Sequence, residues 1–359
     1  MSGKLRGLYD RLYIWTEVEL HAMNAAKSGR KLASSMTENP RVAEEYGKTI
    51  RPYWRRFGRP APKRFWFTLF CGRKDTVDPR YIPDDLWFSR IVPYYNNLIF
   101  AKALQDKCLH NLVLPNIKRP ETVVKNVAGV FYDDALRLLT REEAVSRCRG
   151  RGRVIVKPSV SSGQGHNIRF YDTDTLTEAE TEDIFRLYGQ NFIMQEKLLQ
   201  HPVLAAFHPN SLNTVRVITF LHHGRVHVLS TILRIGGGSN EVDNVSQGGY
   251  QCTIMPDGRL EKTAVTKRDG KWVPVEATAN GIRFSDVTVP SFARVLETVR
   301  NAASTMAHFR ILGWDIAIDP EGEPVLVEFN VIPGQNQTTC GPTFGELTDE
   351  VLSEVFGRR

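Results

Sequence analysis

The residues best equipped for chemistry lie at the ends of apolar strands. In Val154-Ile-Val-Lys157-Pro158 a lysine closes the strand, and a tight loop of small residues follows: Ser161, Ser162, Gly163, Gln164 and Gly165. A lysine offsets phosphate charge, and glycines let backbone N–H groups approach phosphate oxygens without a Cβ in the way. Neither the Walker A nor the Rossmann spacing is present, so the run suits polyphosphate by its chemistry alone. Further on, Gly313-Trp-Asp315-Ile-Ala-Ile318 and Val325-Leu-Val-Glu328-Phe-Asn330 read as two strands around the turn Asp319-Pro-Glu-Gly322. Side chains alternate along strands, so Asp315, Glu328 and Asn330 can share a face. Two carboxylates and an amide oxygen there suit Mg2+ that also holds substrate phosphates. Between these motifs, Arg216 and Arg234 fall on neighbouring strands, and arginine suits bidentate binding of phosphate or carboxylate. The glycines at 236–238 and at 248–249, with Asn244 between them, could form a loop that closes over a substrate.

These groups need a frame. Residues 6–48 read as helices, with Leu8, Leu12, Trp15 and Val18 at helical spacing. Arg59-Pro-Ala-Pro62 is a breaker, and Phe65-Trp-Phe-Thr-Leu-Phe70 reads as a strand. A helical stretch is expected from about Leu86 through Lys107, with Pro83 at its start. From residue 108 the texture changes. Strands are expected at 122–127, 153–158, 167–171 and 191–196, with helices at 141–148 and 178–189. A hairpin through His223-Gly224 joins strands at 214–220 and 226–233, and a long helix is expected over 291–308.

The chain has 359 residues, with 42% hydrophobic and 24% charged, an ordinary globular balance too long for one small core. No apolar run approaches the ~20 residues that span a bilayer, and the charge-interrupted first residues lack the apolar region of a signal peptide. Five cysteines, Cys71, Cys108, Cys148, Cys252 and Cys340, are widely spaced without a Cys-x-x-Cys pair. That argues against a disulfide framework or zinc site and suits a reducing cytoplasm. His201, His208, His222, His223 and His227 have no ligand-like spacing on one helix, so no metal is assigned to them. The net charge of +7 is uneven: residues 1–75 hold 16 Lys/Arg against 7 Asp/Glu. The excess peaks at 51–66, where six basic residues alternate with aromatics and no acid intervenes. Such a segment could make peripheral contact with a membrane or meet another polyanion. The favoured alternative is a solvated basic face whose aromatics dock the N-terminal helices. Nucleic acid is not expected as a partner.

In their order, these motifs resemble an ATP-grasp enzyme, and closely the sugar-transfer-associated ATP-grasp group, over about residues 81–347. The residues that carry the likeness are Tyr81-Ile-Pro83, Asp106-Lys107, Val156-Lys157-Pro158 with its loop, and Gln195-Glu-Lys-Leu198 with Gln200-His201. Ser211-Leu-Asn-Thr-Val-Arg216, Val242-Asp-Asn244, Gly313-Trp-Asp315-Ile-Ala317 and Val327-Glu-Phe-Asn330 complete the set. The resemblance implies an α+β fold in which two lobes with antiparallel sheets clasp ATP, preceded by a helical N-terminal region. The implied division is a basic helical region at 1–58, an α/β segment at 59–107, a small lobe at 108–198 and a C-terminal lobe at 199–359. Lys107 and Lys157 would hold the ATP phosphates, with Ser161 to Gly165 as their lid. Gln195, Glu196, Lys197 and Leu198 would be the hinge that reads adenine. Asp315, Glu328 and Asn330 would bind Mg2+. Arg216 and Arg234 would steady the transferred phosphoryl group, and Asn244 matches a substrate loop. The implied activity is a carboxylate–amine ligase working through an acyl phosphate, with a sugar or glycan precursor among the candidate substrates. A small-molecule kinase and a nucleotide-binding module without turnover are the alternatives.

Overall fold

The computed structural model describes residues 3–36, 39–72, 74, 76–160, 167–238, 248–268 and 271–357. Its strands form two antiparallel sheets. The first joins β1 (Thr122–Val127), β2 (Val130–Tyr132), β3 (Leu138–Leu139), β4 (Arg153–Pro158), β5 (Arg169–Asp172) and β6 (Phe192–Glu196), in the order β3-β2-β1-β6-β4-β5. Two helices, Arg141–Arg147 and Glu178–Tyr188, cover one face. Each starts with a capping box, Thr140 with Glu143 and Thr177 with Glu180, which satisfies orphan amides at the helix start. Val145, Ile184 and Phe185 pack against Val124, Val154, Val156 and Met194 in one core. The pleat sends alternate residues the other way. Lys125 and Lys157 flank Ile193 from either side in the strand pairing, so all three share the face turned away from these helices, where they too are buried.

The second sheet joins β7 (Thr214–His222), β8 (Arg225–Ile235), β9 (Tyr250–Thr253), β10 (Ala264–Arg268), β11 (Lys271–Val275), β12 (Ile311–Ile318) and β13 (Pro324–Asn330). The order is β11-β10-β9-β8-β7-β12-β13. Val215, Val217, Leu233 and Trp314 face the helix Phe292–Ser304 in the largest core. Residues of the opposite parity carry the charges. The β7–β8 hairpin closes through His223 and Gly224, both at positive φ, which is the two-residue turn that matches strand twist.

The N-terminal helices pack on the charged face of this second sheet, beyond the charges. Ile50, Trp54, Trp87, Tyr95 and Phe344 form one core with Ile218, Phe220 and Ile311. The aromatics of the basic segment 51–66 point inward: Tyr53, Trp54, Phe57 and Trp66 are buried, and Arg56 stacks on Tyr53 and Phe57 while pairing with Asp349 at 2.9 Å. Two expectations need correction. Residues 65–70 are helical, within Arg64–Cys71, and not a strand. The stretch 86–107 is not one helix, because Asn96 is extended and its side-chain amide donates to Ile311 and Val331 carbonyls at 2.7 Å each.

Candidate functional site

Strand register assembles the site. Asp315 lies opposite Glu328 on β13 and opposite Arg216 on β7, and directly opposed residues share a face. Arg234 on β8 opposes Thr214, two residues before Arg216, so it stands on that face as well. The guanidinium of Arg216 grips Asp315 with both prongs, Nε to Oδ1 at 2.5 Å and Nη2 to Oδ2 at 2.7 Å, while Arg234 Nη1 donates to Oδ1 at 3.3 Å. Burial alone would raise the Asp315 carboxyl, but the two arginines outweigh it and hold it below the usual carboxylate range. A bidentate pair with a third donor is the geometry that makes burial of these charges tolerable.

The first sheet and the segment leading to it supply the facing cations. Asp106 caps the short helix Lys107–Leu109 by accepting from Cys108 N at 2.9 Å, and Lys107 N donates to Ser159 O at 3.0 Å. Lys107 is thereby fixed at the end of β4, and its Nζ reaches across to Glu328 Oε1 at 3.1 Å. Lys157 is buried on β4, and burial lowers it to about 8; Glu328 opposes that shift and Lys107 adds to it. His110, its ring tilted against Phe329 with centroids 4.5 Å apart, is driven down to about 3 by burial and by the charges of Lys107 and Lys157, so it stays neutral. Lys107, Lys157 and Glu328 therefore form one group, and Asp315, Arg216 and Arg234 a second. The Asp315–Glu328 strand pair joins them.

Mg2+ fits part of the expected ligand set. Glu328 and Asn330, two residues apart on β13, offer a carboxylate and an amide oxygen from one face, which are hard donors for that ion. Asp315 is committed differently, since both its oxygens already accept from arginine. At residues 195–198, expected to read adenine, Glu196 N donates to Glu121 O at 2.9 Å and Lys197 N to Arg153 O at 2.8 Å. Among the described residues, the Leu198 amide is given to no backbone carbonyl. Ser161, Ser162, Gly163, Gln164, Gly165 and Asn244 lie outside the described residues.

Some residues around the site carry no isolated sequence signal. Lys125 shares the face of Lys157 and donates to the Asp134 carbonyl at 3.0 Å; its parity with Lys157 across Ile193 was the available clue. Gln200 and Asn213 form a polar knot: Gln200 donates to Ser211 O at 2.7 Å, Asn213 donates to Leu204 O at 2.8 Å, and Gly236 N donates to Asn213 at 3.1 Å. That knot ties the starts of β7 and the end of β8 together, so the Ser211–Arg216 motif sets the positions of both arginines. After β13, Gln335 and Gln337 bond Ile82, and Asn336 donates to Ser230 at 3.0 Å. Burial raises Asp84 to about 6 despite a hydrogen bond from Gln335 at 2.8 Å. Cys340 is held near Thr253 and Thr231, and burial pushes its thiol up, so it is no thiolate nucleophile. Of the histidines, His222 and His223 donate toward Glu350 at 3.1 and 2.5 Å, with Arg310 on the other ring nitrogen of His222 at 2.9 Å.

Residues 89–340 match the family described as sugar-transfer associated ATP-grasp, and with more than half of its length matched the chain belongs to that family. Among solved structures, it resembles the L-amino acid ligase from Bacillus licheniformis at 13% identity and a TM-score of 0.31, covering 64% of this chain and 40% of that one. For D-cycloserine synthetase DcsG the figures are 15% and 0.39, with 71% of each chain covered. For D-alanine–D-alanine ligase from Bacillus anthracis with ATP they are 13% and 0.36, with 76% and 67% covered. The chain thus spans less than half the length of the first of these. No curated protein matches the sequence. No helix among the described residues is long and apolar enough to cross a membrane.

Proposed function

We propose that this protein is an ATP-dependent carboxylate–amine ligase. The observation that carries the reading is the meeting of Lys107 and Lys157 with Glu328, beside the Arg216–Asp315–Arg234 cluster, at the junction of the two sheets. ATP would lie between them, its phosphates against Lys107 and Lys157 and its adenine at Gln195 to Leu198. The proposed division is a basic helical region at 1–58, a segment at 59–107 expected as α/β whose elements among the described residues are helices, and lobes at 108–198 and 199–359. Mg2+ held by Glu328 and Asn330, with Asp315 behind them, would offset charge on the transferring phosphate. The roles of Ser161 to Gly165 as a lid and of Asn244 in a substrate loop belong to the same proposal.

The chemistry follows from placing charge. A carboxylate oxygen of the donor acid attacks the γ-phosphorus in line, the bond to the β-phosphate oxygen breaks, and ADP leaves. Arg216 and Arg234, oriented by Asp315, stand where negative charge builds on the phosphoryl oxygens. The amine of the acceptor then attacks the acyl phosphate, phosphate departs with the bonding pair, and the nitrogen loses a proton to give an amide. No side-chain nucleophile is required, because positioning supplies most of the rate. A sugar or glycan precursor as one substrate is the reading that the family's description favours.

The test is hydroxylamine trapping with the purified protein, ATP, Mg2+ and pools of amino acids and uronic acids. Hydroxamate rising together with ADP is the expected result. ADP release without hydroxamate from any pool overturns the ligase reading and leaves phosphoryl transfer to a hydroxyl.

A further inference from the structure

The apolar surface that the N-terminal region exposes lies on the first helix, Gly3–Ser34, and not on the basic segment 51–66. Leu12, Trp15, Leu20 and Met23 are 58%, 58%, 59% and 67% exposed. At 100° per residue they fall in one stripe roughly 140° wide. The adjoining arc, which meets the stripe at its Trp15 edge, is occupied: Val18, Ala22 and Ala33 are buried, and Gly29 faces the ring of Trp66. One turn beyond Met23 the exposed arc changes character, with Lys27 and Arg30 within it and Lys31 beside it, all exposed. Arg30 lies over the ring of Phe65 at 5.7 Å, which brings Lys63 and Arg64, at the start of the next packed helix, to the same end. Glu19 is turned aside toward Arg90 at 3.5 Å. The helix thus presents large apolar side chains first and basic ones next, on one side.

We propose that this face docks on an anionic lipid bilayer. Leu12, Trp15, Leu20 and Met23 enter the boundary between headgroups and acyl chains, and Lys27, Arg30, Lys31, Lys63 and Arg64 meet the lipid phosphates. Charge selects this occupant. Residues 1–75 carry 16 Lys/Arg against 7 Asp/Glu, so a second copy seated on the stripe would bring two strongly cationic surfaces together. A bilayer rich in acidic lipid offers apolar depth and negative charge at once. The contact is peripheral, and it is independent of the nucleotide site.

The test is co-sedimentation of the full chain with vesicles of phosphatidylcholine, alone or with about a third phosphatidylserine. Binding should be at least roughly tenfold stronger to the acidic vesicles and should weaken as salt rises. Trp15→Ser with Met23→Ser, and separately Lys27→Gln with Arg30→Gln and Lys31→Gln, should each reduce it by roughly tenfold while leaving circular dichroism and ATP turnover unchanged. Trp54, Trp66, Trp87 and Trp314 are fully buried, while Trp272 on the edge strand β11 is partly exposed, so quenching by brominated lipid that is lost in Trp15→Ser should report Trp15. Absence of binding to acidic vesicles overturns the proposal. So does dimerisation in solution that is lost in the Trp15→Ser variant, which would assign the stripe to a second copy.

Discussion

Lys157 is the residue whose surroundings change its chemistry most usefully. Its folded value of about 8 lies below the 10.5 of an ordinary lysine, because burial disfavours the charged form. In the window between those values the unfolded chain binds more protons, so stability should rise with pH there, as the cost of a buried charge disappears. ATP capture should do the opposite. We expect kcat/KM for ATP to fall as pH rises through about 8, with Lys157→Arg moving that fall beyond the measurable range. Lys157→Ala and Glu328→Ala should each cut turnover by roughly a hundredfold or more at pH 7, with thermal unfolding little changed for Glu328→Ala. A profile flat across that pH range would remove Lys157 from the phosphate site. Asp315→Ala is a different case, since it strands two arginines in a buried setting. It should cost about 3–5 kcal/mol in denaturant unfolding. These individual residues were legible in the sequence because charges at the ends of apolar strands stand out. Their partnership was not: Arg216 and Asp315 are 99 positions apart, and only the pairing of β7 with β12 makes them neighbours.

Among the elements, the strands and helices expected beyond residue 108 follow from alternation, turn residues and caps, and their agreement with the structure has that local cause. By contrast, β2, β3, β9, β10 and β11 carry no such pattern and are not among those expected. The helix Arg64–Cys71 shows where local pattern fails. Trp66, Phe67, Thr68, Leu69, Phe70 and Cys71 are all buried, so no polar face breaks the run into a helical period, and a short apolar run reads equally well as a strand. What makes it a helix is its neighbour. A Cβ on Gly29 would come within 2.6–2.7 Å of the Trp66 ring, so the first helix approaches at a distance only glycine allows. Gly29→Val should separate the two helices, lower stability by about 1–3 kcal/mol, and speed limited proteolysis within Gly3–Ser34. Unchanged proteolysis would mean that the helices do not rest on that contact.

Across the whole molecule, the charge asymmetry of the first 75 residues was plain from sequence, but their structural role was not. Ile50, Tyr53, Trp54 and Phe57 belong to the same core as Ile218, Phe220 and Ile311 of the second sheet, and Tyr53 donates to Asp349 near the C-terminus at 2.7 Å. These contacts join segments nearly 300 residues apart, beyond the reach of any local pattern. Removing residues 1–58 should therefore lower the melting temperature by about 10 °C or more and reduce ATP turnover with it, as calorimetry and ADP release would report. A truncated chain of unaltered melting temperature would make this region an appendage. The bond between Arg216 and Asp315 also bears on how the chain reaches this arrangement. If β7 met β12 one residue out of step, every side chain of the slipped strand would change faces. Arg216 would then enter the apolar layer under Phe292–Ser304, and Asp315 would lose its partner. The same pair at the centre of the candidate site thus proofreads the assembly of the sheet, since a chain folded in the wrong register cannot conceal the error.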